Sequence, residues 1–264
     1  MSVAERTRPH LRSCFGASVL LIALTTGASA GIAQSASTEA GHPSEKPLSQ
    51  SQVLHDIRDF GGLSHYAAEN AVLPKVVPGR VVFLGDSITE FWTQNGGKFF
   101  SGKPYLNRGI AAQTTAQMLI RFRQDVIDLK PTTVVIQGGL ADIAGFTGPS
   151  SLEEIEDNFR SMAELARFNQ IAVVLAVSPP AADYPGRKGV EPTVQLAQLN
   201  KWASRYCAMS HCTYLDYYAA MVGPDGQMKA GISKDGVHPN AAGYAIMEPL
   251  AERAIADATR SDRH

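Results

Sequence analysis

The fold is decided by Val81-Val82-Phe83-Leu84-Gly85-Asp86-Ser87-Ile88-Thr89. Its first four residues are apolar, with β-branched and aromatic members, which is typical of a buried strand. The strand ends at Gly85-Asp86-Ser87 and an amphipathic run follows, so Ser87 is predicted to lie in a turn at the start of a helix. Its backbone N–H would then lie near a helix N-terminus, where negative charge is stabilised. The same triplet also fits an ordinary connection in which Asp86 or Ser87 caps the helix.

The rest of the chain repeats this alternation of strand and helix. Continuous apolar strands between amphipathic helices indicate a parallel sheet covered on both faces. The predicted fold is α/β, with three layers (α/β/α) and a five-stranded parallel sheet. Ligands of such folds bind at the carboxyl ends of the strands. Strands are predicted at 81–84, 105–110, 132–137, 171–177 and 213–216, and helices at 114–129, 152–166, 193–206 and from about Pro239 to 258.

The first thirty residues resemble a cleaved export signal. Three arginines precede a short apolar core at Phe15–Leu24, and Ala28-Ser29-Ala30 fits the small-residue rule for signal peptidase. We predict a signal peptide over 1–30, a flexible linker over 31–50, a helical extension over 51–78 that packs on the domain, and the domain itself over 79–260. Export would place the protein in the periplasm or outside the cell, with no stable membrane span after cleavage. An uncleaved N-terminal anchor is the alternative.

Composition narrows the class of function. The 264 residues are 44% hydrophobic and 19% charged with a net charge of -1, which is an ordinary globular balance. The charge gives no reason to expect a nucleic-acid partner. No Cys/His spacing of a zinc site occurs, so neither a metal nor a cofactor is predicted. Cys207 and Cys212 flank a predicted helix-to-strand turn, and either a disulfide or two buried thiols fit that position.

A second informative stretch is Asp235-Gly236-Val237-His238-Pro239-Asn240. A serine hydroxyl is a poor nucleophile at neutral pH and needs a base within hydrogen-bond reach. Histidine is the natural base, and a carboxylate fixes its tautomer and stabilises the imidazolium. Asp235 and His238 are three residues apart, so one short segment could deliver both groups. The alternative is that Asp235 only caps a turn and that His238 is a solvated loop histidine.

Together these segments resemble the SGNH hydrolases, also called GDSL esterases and lipases, over about residues 79–258. Gly85-Asp86-Ser87 matches the nucleophile block, so the resemblance implies that Ser87 is the nucleophile and that its N–H is an oxyanion donor. Asn107-Arg108-Gly109 matches the second block, where the Gly109 N–H would be another donor. Asp235 and His238 match the last block as orienting acid and general base. The implied fold is flavodoxin-like.

The remaining block departs from the family pattern. The family has Gly-x-Asn-Asp after the third strand, with the Asn side chain as the third oxyanion donor, whereas this chain has Gly139-Leu140-Ala141-Asp142. Loss of one such donor typically lowers the rate by about 100–1000-fold. Gln137 or an ordered water could replace the missing donor. The resemblance therefore implies an esterase that lacks one donor at Ala141.

The resemblance implies several substrates: small carboxylic esters, acylated carbohydrates, lysophospholipids or thioesters. Aromatic residues near the sheet edge, Tyr184 above all, are candidates to bind the substrate, although aromatics there are more often packing. The leading hypothesis is an exported serine esterase. A binding protein that kept the pocket but lost the full oxyanion hole is the second, and acyl transfer to an alcohol in place of water is the third.

Overall fold

The computed structural model describes residues 49–261, except positions 185 and 188, without the side chains at 52, 53, 55, 56 and 261. Its strands are β1 (Val81–Gly85), β2 (Tyr105–Gly109), β3 (Thr133–Gly138), β4 (Ala172–Val177) and β5 (Thr213–Tyr214). Its helices are α1 (Gln50–Arg58), α2 (Ala67–Val72), α3 (Ser87–Glu90), α4 (Thr115–Asp125), α5 (Leu140–Ile143), α6 (Leu152–Phe168), α7 (Thr193–Met209), α8 (Tyr217–Met221) and α9 (Ala241–Ser261), with a 3-10 turn at Ile127–Leu129.

All five strands form one parallel sheet in the order β2-β1-β3-β4-β5. This is the flavodoxin-like order of a doubly wound sheet. Val82 and Leu84 pack into the core on one face with α4, α6 and α7, whereas Val81 and Phe83 pack into the core on the other face with α8 and α9. Adjacent residues of β1 thus serve opposite layers. The predicted three-layer α/β/α fold with five parallel strands is confirmed.

The helix after Ser87 is shorter than the amphipathic pattern suggests. α3 ends at Glu90 after a single turn. The Trp92 side chain then enters the core, 6.0 Å from the Phe83 ring and 5.3 Å from the Phe100 ring. The apolar residues after Ser87 therefore fill the core from an irregular segment, a pattern that sequence periodicity does not separate from a helix.

The last helix starts later than predicted. Its first helical turn begins at Ala241, because Pro239 pairs with Ser233 in an isolated bridge before the helix. The Asn240 side chain accepts hydrogen bonds from the N–H groups of Ala242 (2.9 Å) and Gly243 (3.2 Å). Asn240 is therefore the residue that caps the helix, as its short amide side chain favours.

The N-terminal extension is attached to β2 and α4 by polar contacts. The Tyr66 hydroxyl donates to the Gly109 carbonyl, and the Gln113 side chain donates to the Gly61 carbonyl at 3.0 Å. Asn70 donates to Asp125 at 2.6 Å and accepts from Arg108 at 2.9 Å. The signal peptide predicted over 1–30 lies outside the described residues, as does the predicted linker apart from its last two positions.

A disulfide joins Cys207 at the end of α7 to Cys212 just before β5. Of the two arrangements left open for these cysteines, the structure has the disulfide. It closes the turn that carries the chain from the helix back to the sheet. Within the part of the chain that the structure describes, we find no helix with the length and apolar character needed to cross a bilayer.

A fully buried ion pair inside α4 gives the first testable prediction. Arg121 lies 3.1 Å from Asp125, with both side chains fully buried, and also donates to the Gly85 carbonyl at 3.0 Å. Arg121→Met would leave the Asp125 charge buried without its cation, so we expect the free energy of unfolding to fall by about 3–5 kcal/mol. Chemical denaturation measures this, with Arg123→Met, an exposed arginine on the same helix, as the control. Equal stability of the two variants would contradict the prediction.

Candidate active site

The nucleophile candidate lies where the central strand β1 meets α3. Asp86 caps the helix, because its side chain accepts the N–H of Ile88 at 2.9 Å. A Cβ at Gly85 would lie 2.1 Å from the Thr89 hydroxyl oxygen, so only glycine lets the helix turn back this tightly. Ser87 is the first helical residue and its side chain is largely buried. Both interpretations of the triplet therefore hold: Asp86 is the cap, and Ser87 follows it at the helix N-terminus.

The three predicted triad residues come together although Ser87 and His238 are 151 positions apart. Ser87 Oγ lies 3.0 Å from His238 Nε2, and His238 Nδ1 lies 2.6 Å from Asp235 Oδ2. Both distances are within hydrogen-bond reach. A serine that donates to a histidine whose other nitrogen faces a carboxylate is the arrangement that nucleophilic acyl transfer requires.

A compact turn holds Asp235 and His238. The Ser233 hydroxyl donates to the His238 carbonyl at 2.8 Å and accepts the N–H of Gly236 at 2.9 Å. Asp235 Oδ1 accepts the backbone N–H groups of His238 (2.7 Å) and Val237 (3.0 Å). Sequence reasoning missed Ser233, although a serine two residues before Asp-Gly is a recognisable turn signal. One carboxylate thus shapes the turn with one oxygen and orients the imidazole with the other.

The electrostatics of Asp235 suit an orienting acid. Partial burial by itself raises the pKa of Asp235, but hydrogen bonds from the His238 ring and from the N–H groups of His238 and Val237 outweigh burial, and the pKa lies below its usual value. Hydrogen bonds to a carboxylate favour its charged form. Asp235 therefore stays ionised at neutral pH and can stabilise a protonated His238.

The pKa of Asp86 is shifted in the opposite direction, above its usual value. Burial is the main cause that raises its pKa from 3.8 to about 6, opposed by hydrogen bonds from Ile88 and Gln137 and by the charge of His238. The Gln137 side chain donates to Asp86 at 3.4 Å and to the Ser178 hydroxyl at 3.1 Å. Gln137 does not replace the missing oxyanion donor, because its amide N–H groups serve Asp86 and Ser178 beneath the turn.

The raised pKa of Asp86 predicts a pH-dependent stability. A carboxyl whose folded pKa exceeds its unfolded pKa stabilises the fold fully below about pH 4, and this contribution is lost as the pH rises through about 6. Asp86→Asn carries no such titration. We expect the variant to gain about 2–3 kcal/mol in unfolding free energy relative to the wild type between about pH 4 and pH 7.5. Urea denaturation of both proteins at each pH measures this gain, and a difference that does not change with pH would contradict it.

Gly109 is the last residue of β2 and lies against the backbone of α3. Its N–H donates to the Asn107 side chain at 2.9 Å, so this donor already has an acceptor. Gly109 pairs in register with Gly85, and a Cβ on Gly109 would lie 2.2 Å from the Glu90 nitrogen. The residue has to be glycine because the α3 backbone passes directly over it. The oxyanion role that the resemblance implies for the Gly109 N–H stays a prediction.

Ala141 lies in α5, buried at the end of β3. The next residue, Asp142, accepts hydrogen bonds from the N–H (2.9 Å) and the hydroxyl (2.6 Å) of Thr115. Asp142 thus fastens α5 to the first turn of α4. The methyl group of Ala141 supplies no hydrogen-bond donor at this position.

Tyr184 is at the site. Its side chain is 8% exposed and its ring lies 5.1 Å from the Phe146 ring, near enough to the site for Asp86, Asp235 and Ser87 to affect the pKa of its hydroxyl. Burial raises the pKa of Tyr184, as does the nearby Asp86, while Ser87 and the charge of Arg187 oppose this rise. The hydroxyl therefore keeps its proton at neutral pH and can donate it in a hydrogen bond.

Four other aromatic and cationic side chains near this edge of the sheet differ in what they contact. The Phe91 ring packs 5.5 Å from the His238 ring, whereas Trp92 lies in the aromatic core. Arg108 is buried against the Tyr66 ring at 4.5 Å, and Arg187 covers the Phe146 ring at 4.1 Å. Arg108 is thus a structural residue rather than a solvated one.

Comparison with known proteins agrees with this geometry. The model of the GDSL-like Lipase/Acylhydrolase family matches residues 83–246. The structure of a GDSL-like lipase from Bacteroides thetaiotaomicron is 40% identical, with a TM-score of 0.73 over 75% of this chain and 99% of that chain. A structure from Bacteroides fragilis is 39% identical, with a TM-score of 0.73 over 76% of this chain and 98% of that chain.

More distant structures share the fold. An acetyl-xylooligosaccharide esterase from Geobacillus stearothermophilus is 20% identical, with a TM-score of 0.53 over 69% of this chain and 96% of that chain. A comparison with curated proteins finds no match. The family match spans more than half of the chain and includes the turn that carries Ser87, and it agrees with the identity to the Bacteroides lipase. On these grounds the chain belongs to the GDSL-like lipase/acylhydrolase family.

Proposed function

We propose that this protein is a serine esterase that hydrolyses carboxylic esters. The observation that carries the proposal is the hydrogen-bonded series of Ser87 Oγ, His238 Nε2, His238 Nδ1 and Asp235 Oδ2, with separations of 3.0 and 2.6 Å. Membership in a family of lipases and acylhydrolases supports hydrolase chemistry. The low pKa of Asp235 supports its role as the charged partner of the base.

The proposed reaction proceeds through an acyl-enzyme. His238 takes the proton of Ser87 as Ser87 Oγ attacks the ester carbonyl, and Asp235 stabilises the imidazolium that forms. The Ser87 N–H, at the start of α3, donates to the developing oxyanion. The ester C–O bond then breaks and His238 protonates the leaving alcohol. Water attacks the acyl group with His238 again as the base, which restores free Ser87.

Two assays of the purified protein test this proposal. Reaction with a fluorophosphonate should label Ser87 with one equivalent, as peptide mass spectrometry can establish. A panel of p-nitrophenyl acetate, longer p-nitrophenyl esters, acetylated xylo-oligosaccharides and a lysophospholipid should then separate the substrate classes by kcat/KM. Absence of both labelling and turnover would overturn the proposal.

The absence of a donor side chain at Ala141 favours a second candidate function, a binding protein that retained the pocket. Sugar or lipid binding that survives Ser87→Ala, without any turnover by the wild type, would support it. The same panel addresses acyl transfer: with an added alcohol, an acyltransferase would convert the acyl donor into a new ester in preference to the free acid.

We also propose that the protein is exported. The charge and apolar pattern of residues 1–30 supports this, and the disulfide between Cys207 and Cys212 fits an oxidising compartment. Expression of the full chain in a Gram-negative host, followed by fractionation and N-terminal mass analysis, tests it. We expect a periplasmic product that lacks about thirty residues. A full-length product in the cytoplasm would contradict export.

A further inference from the structure

We propose that a cavity next to the Ser87 turn binds the acyl chain of the ester, with the N-terminal extension as one wall, so that the enzyme prefers aliphatic acyl groups longer than acetyl. The cavity has a volume of about 300 Å³, at the small end of the range for ligand pockets. Phe60 and Gly62 of the extension line one side, and residues 110–113 after β2 and Phe146 after β3 line the other. The proposal rests on the proposed esterase function and names the substrate class of that site.

Hydrogen bonds join the cavity wall to the segment that carries Ser87. The N–H of Ile110 donates to the Gly85 carbonyl at 3.0 Å, two residues before Ser87. The next N–H, of Ala111, donates to the Glu90 carboxylate at 2.5 Å, and Glu90 is the last residue of the one-turn helix that Ser87 begins. Two consecutive residues of the wall therefore contact both ends of the segment 85–90, which places the cavity next to the nucleophile.

The cavity offers a ligand mainly apolar contact. The apolar side chains that line it are those of Phe60, Ile110, Ala111, Ala112 and Phe146. Asp59, Gln113 and Gln117 line it as well, but each of these polar side chains is hydrogen-bonded within the protein. An aliphatic chain can therefore bury apolar surface there without breaking those hydrogen bonds, and apolar burial is the favourable term in its binding.

The wall formed by the extension is fastened to α4 and to the residues just before it. The Phe60 and Gly61 carbonyls accept the side-chain amides of Gln117 (2.8 Å) and Gln113 (3.0 Å). A Cβ at Gly61 would lie 2.4 Å from Ile120 Cγ2, so the extension passes directly against the helix. Phe60 is 44% exposed in the free protein, and covering its ring with an acyl chain would remove apolar surface from water. Because the wall is already in place, binding has little loop ordering to offset.

The position of His238 decides which half of the ester the cavity holds. His238 protonates the leaving alcohol in the proposed reaction, so the alcohol lies on the His238 side of Ser87. His238 comes shortly before α9, and its ring packs 5.5 Å from the ring of Phe91. The residues that line the cavity after β2 instead lead into α4, which covers the other face of the sheet from α9. The alcohol thus leaves on the α9 side, and the acyl chain points towards α4.

The test compares two series of esters, each corrected for its rate of hydrolysis by hydroxide. The first series keeps the p-nitrophenol leaving group and lengthens the acyl group from acetate to butyrate and hexanoate. The second keeps the acetyl group and lengthens the alcohol from ethanol to butanol and hexanol. Each buried CH₂ group is worth about fourfold in binding, so we expect kcat/KM to rise about tenfold from acetate to butyrate and further to hexanoate. Across the second series it should change by less than about threefold, because the alcohol lies outside the cavity.

Two substitutions change the cavity in opposite ways. Phe60→Ala removes part of one wall, whereas Ala111→Phe adds a ring where the chain would lie. Each should lower the ratio of kcat/KM for hexanoate to that for acetate by about fivefold or more. Phe168→Ala and Ala256→Phe are the matched controls, because both residues are exposed and lie in the last turn of α6 and the second half of α9. Neither control should change the ratio, which is measured within each protein and so does not depend on the folded fraction.

The outcomes separate this proposal from the esterase proposal. If Ser87-dependent turnover is present but does not rise with acyl length, or if Phe60→Ala and Ala111→Phe keep the wild-type ratio, the acyl assignment alone is wrong. A rise along the alcohol series instead would mean that the cavity holds the alcohol half, which also overturns it. If no ester of either series is turned over and the fluorophosphonate does not label Ser87, the esterase function fails, and the acyl site fails with it.

Discussion

Replacing Ser87 with alanine is expected to lower kcat for ester hydrolysis by about 10⁴-fold or more. The hydroxyl is the atom that would bond to the acyl group, and a methyl group cannot replace it. The variant should fold normally, because the cap of α3 is the Asp86 side chain and the Ser87 backbone is unchanged. Steady-state kinetics with p-nitrophenyl acetate, together with fluorophosphonate labelling, gives the size of the loss.

Ser204→Ala is the control for this substitution, since Ser204 is exposed on α7. It should keep wild-type kcat and accept one equivalent of fluorophosphonate at Ser87. Substantial turnover by Ser87→Ala, or labelling at a residue other than Ser87, would mean that the nucleophile lies elsewhere.

Asp235→Asn is expected to lower kcat by about 10⁴-fold at pH 7. The amide can keep the backbone contacts of Asp235 Oδ1 with Val237 and His238. Its NH₂ group would then face His238 Nδ1 as a donor, which favours the tautomer that carries its proton on Nε2. That nitrogen could no longer accept the proton of Ser87, so the base would be present but in the wrong form. Comparison of kcat with the wild type checks this.

Asp225→Asn is the matched control, because Asp225 is an exposed aspartate whose side chain accepts a backbone N–H at 3.0 Å. We expect it to retain full activity. A loss in Asp235→Asn smaller than tenfold, with the turn intact by crystallography, would show that the carboxylate is not needed to orient His238.

Much of the fold followed from local patterns. The buried strands were recognisable because parallel strands covered on both faces are apolar without interruption. The last residue of α3 and the first residue of α9 were not recognisable, because they depend on contacts outside the local pattern. Trp92 enters an aromatic cluster, and Pro239 pairs with Ser233. Periodicity records which residues are apolar and not whether the backbone between them is helical.

The candidate site, like the fold, could be predicted from the sequence only in part. The residue types of Ser87, Asp235 and His238 suggested a triad, and the structure places them within hydrogen-bond reach of one another. The bridge between Tyr184 and Arg187 lies in a loop whose conformation the sequence does not encode locally. Buried Arg121 was missed as well, since a charged residue in an amphipathic helix is ordinarily solvent-exposed.

The attachment of the N-terminal extension bears on where the smallest autonomous fragment begins. The family match starts at residue 83, inside β1. A protein trimmed to that point would lose Asn70, which contacts both Arg108 and Asp125, and the Tyr66 hydroxyl that donates to the Gly109 carbonyl. Two buried charged side chains would then face solvent or remain unmatched. Residues from about Asp59 onward therefore belong to the same folding unit, and chimaeras or library designs should exchange them together with β2 and α4.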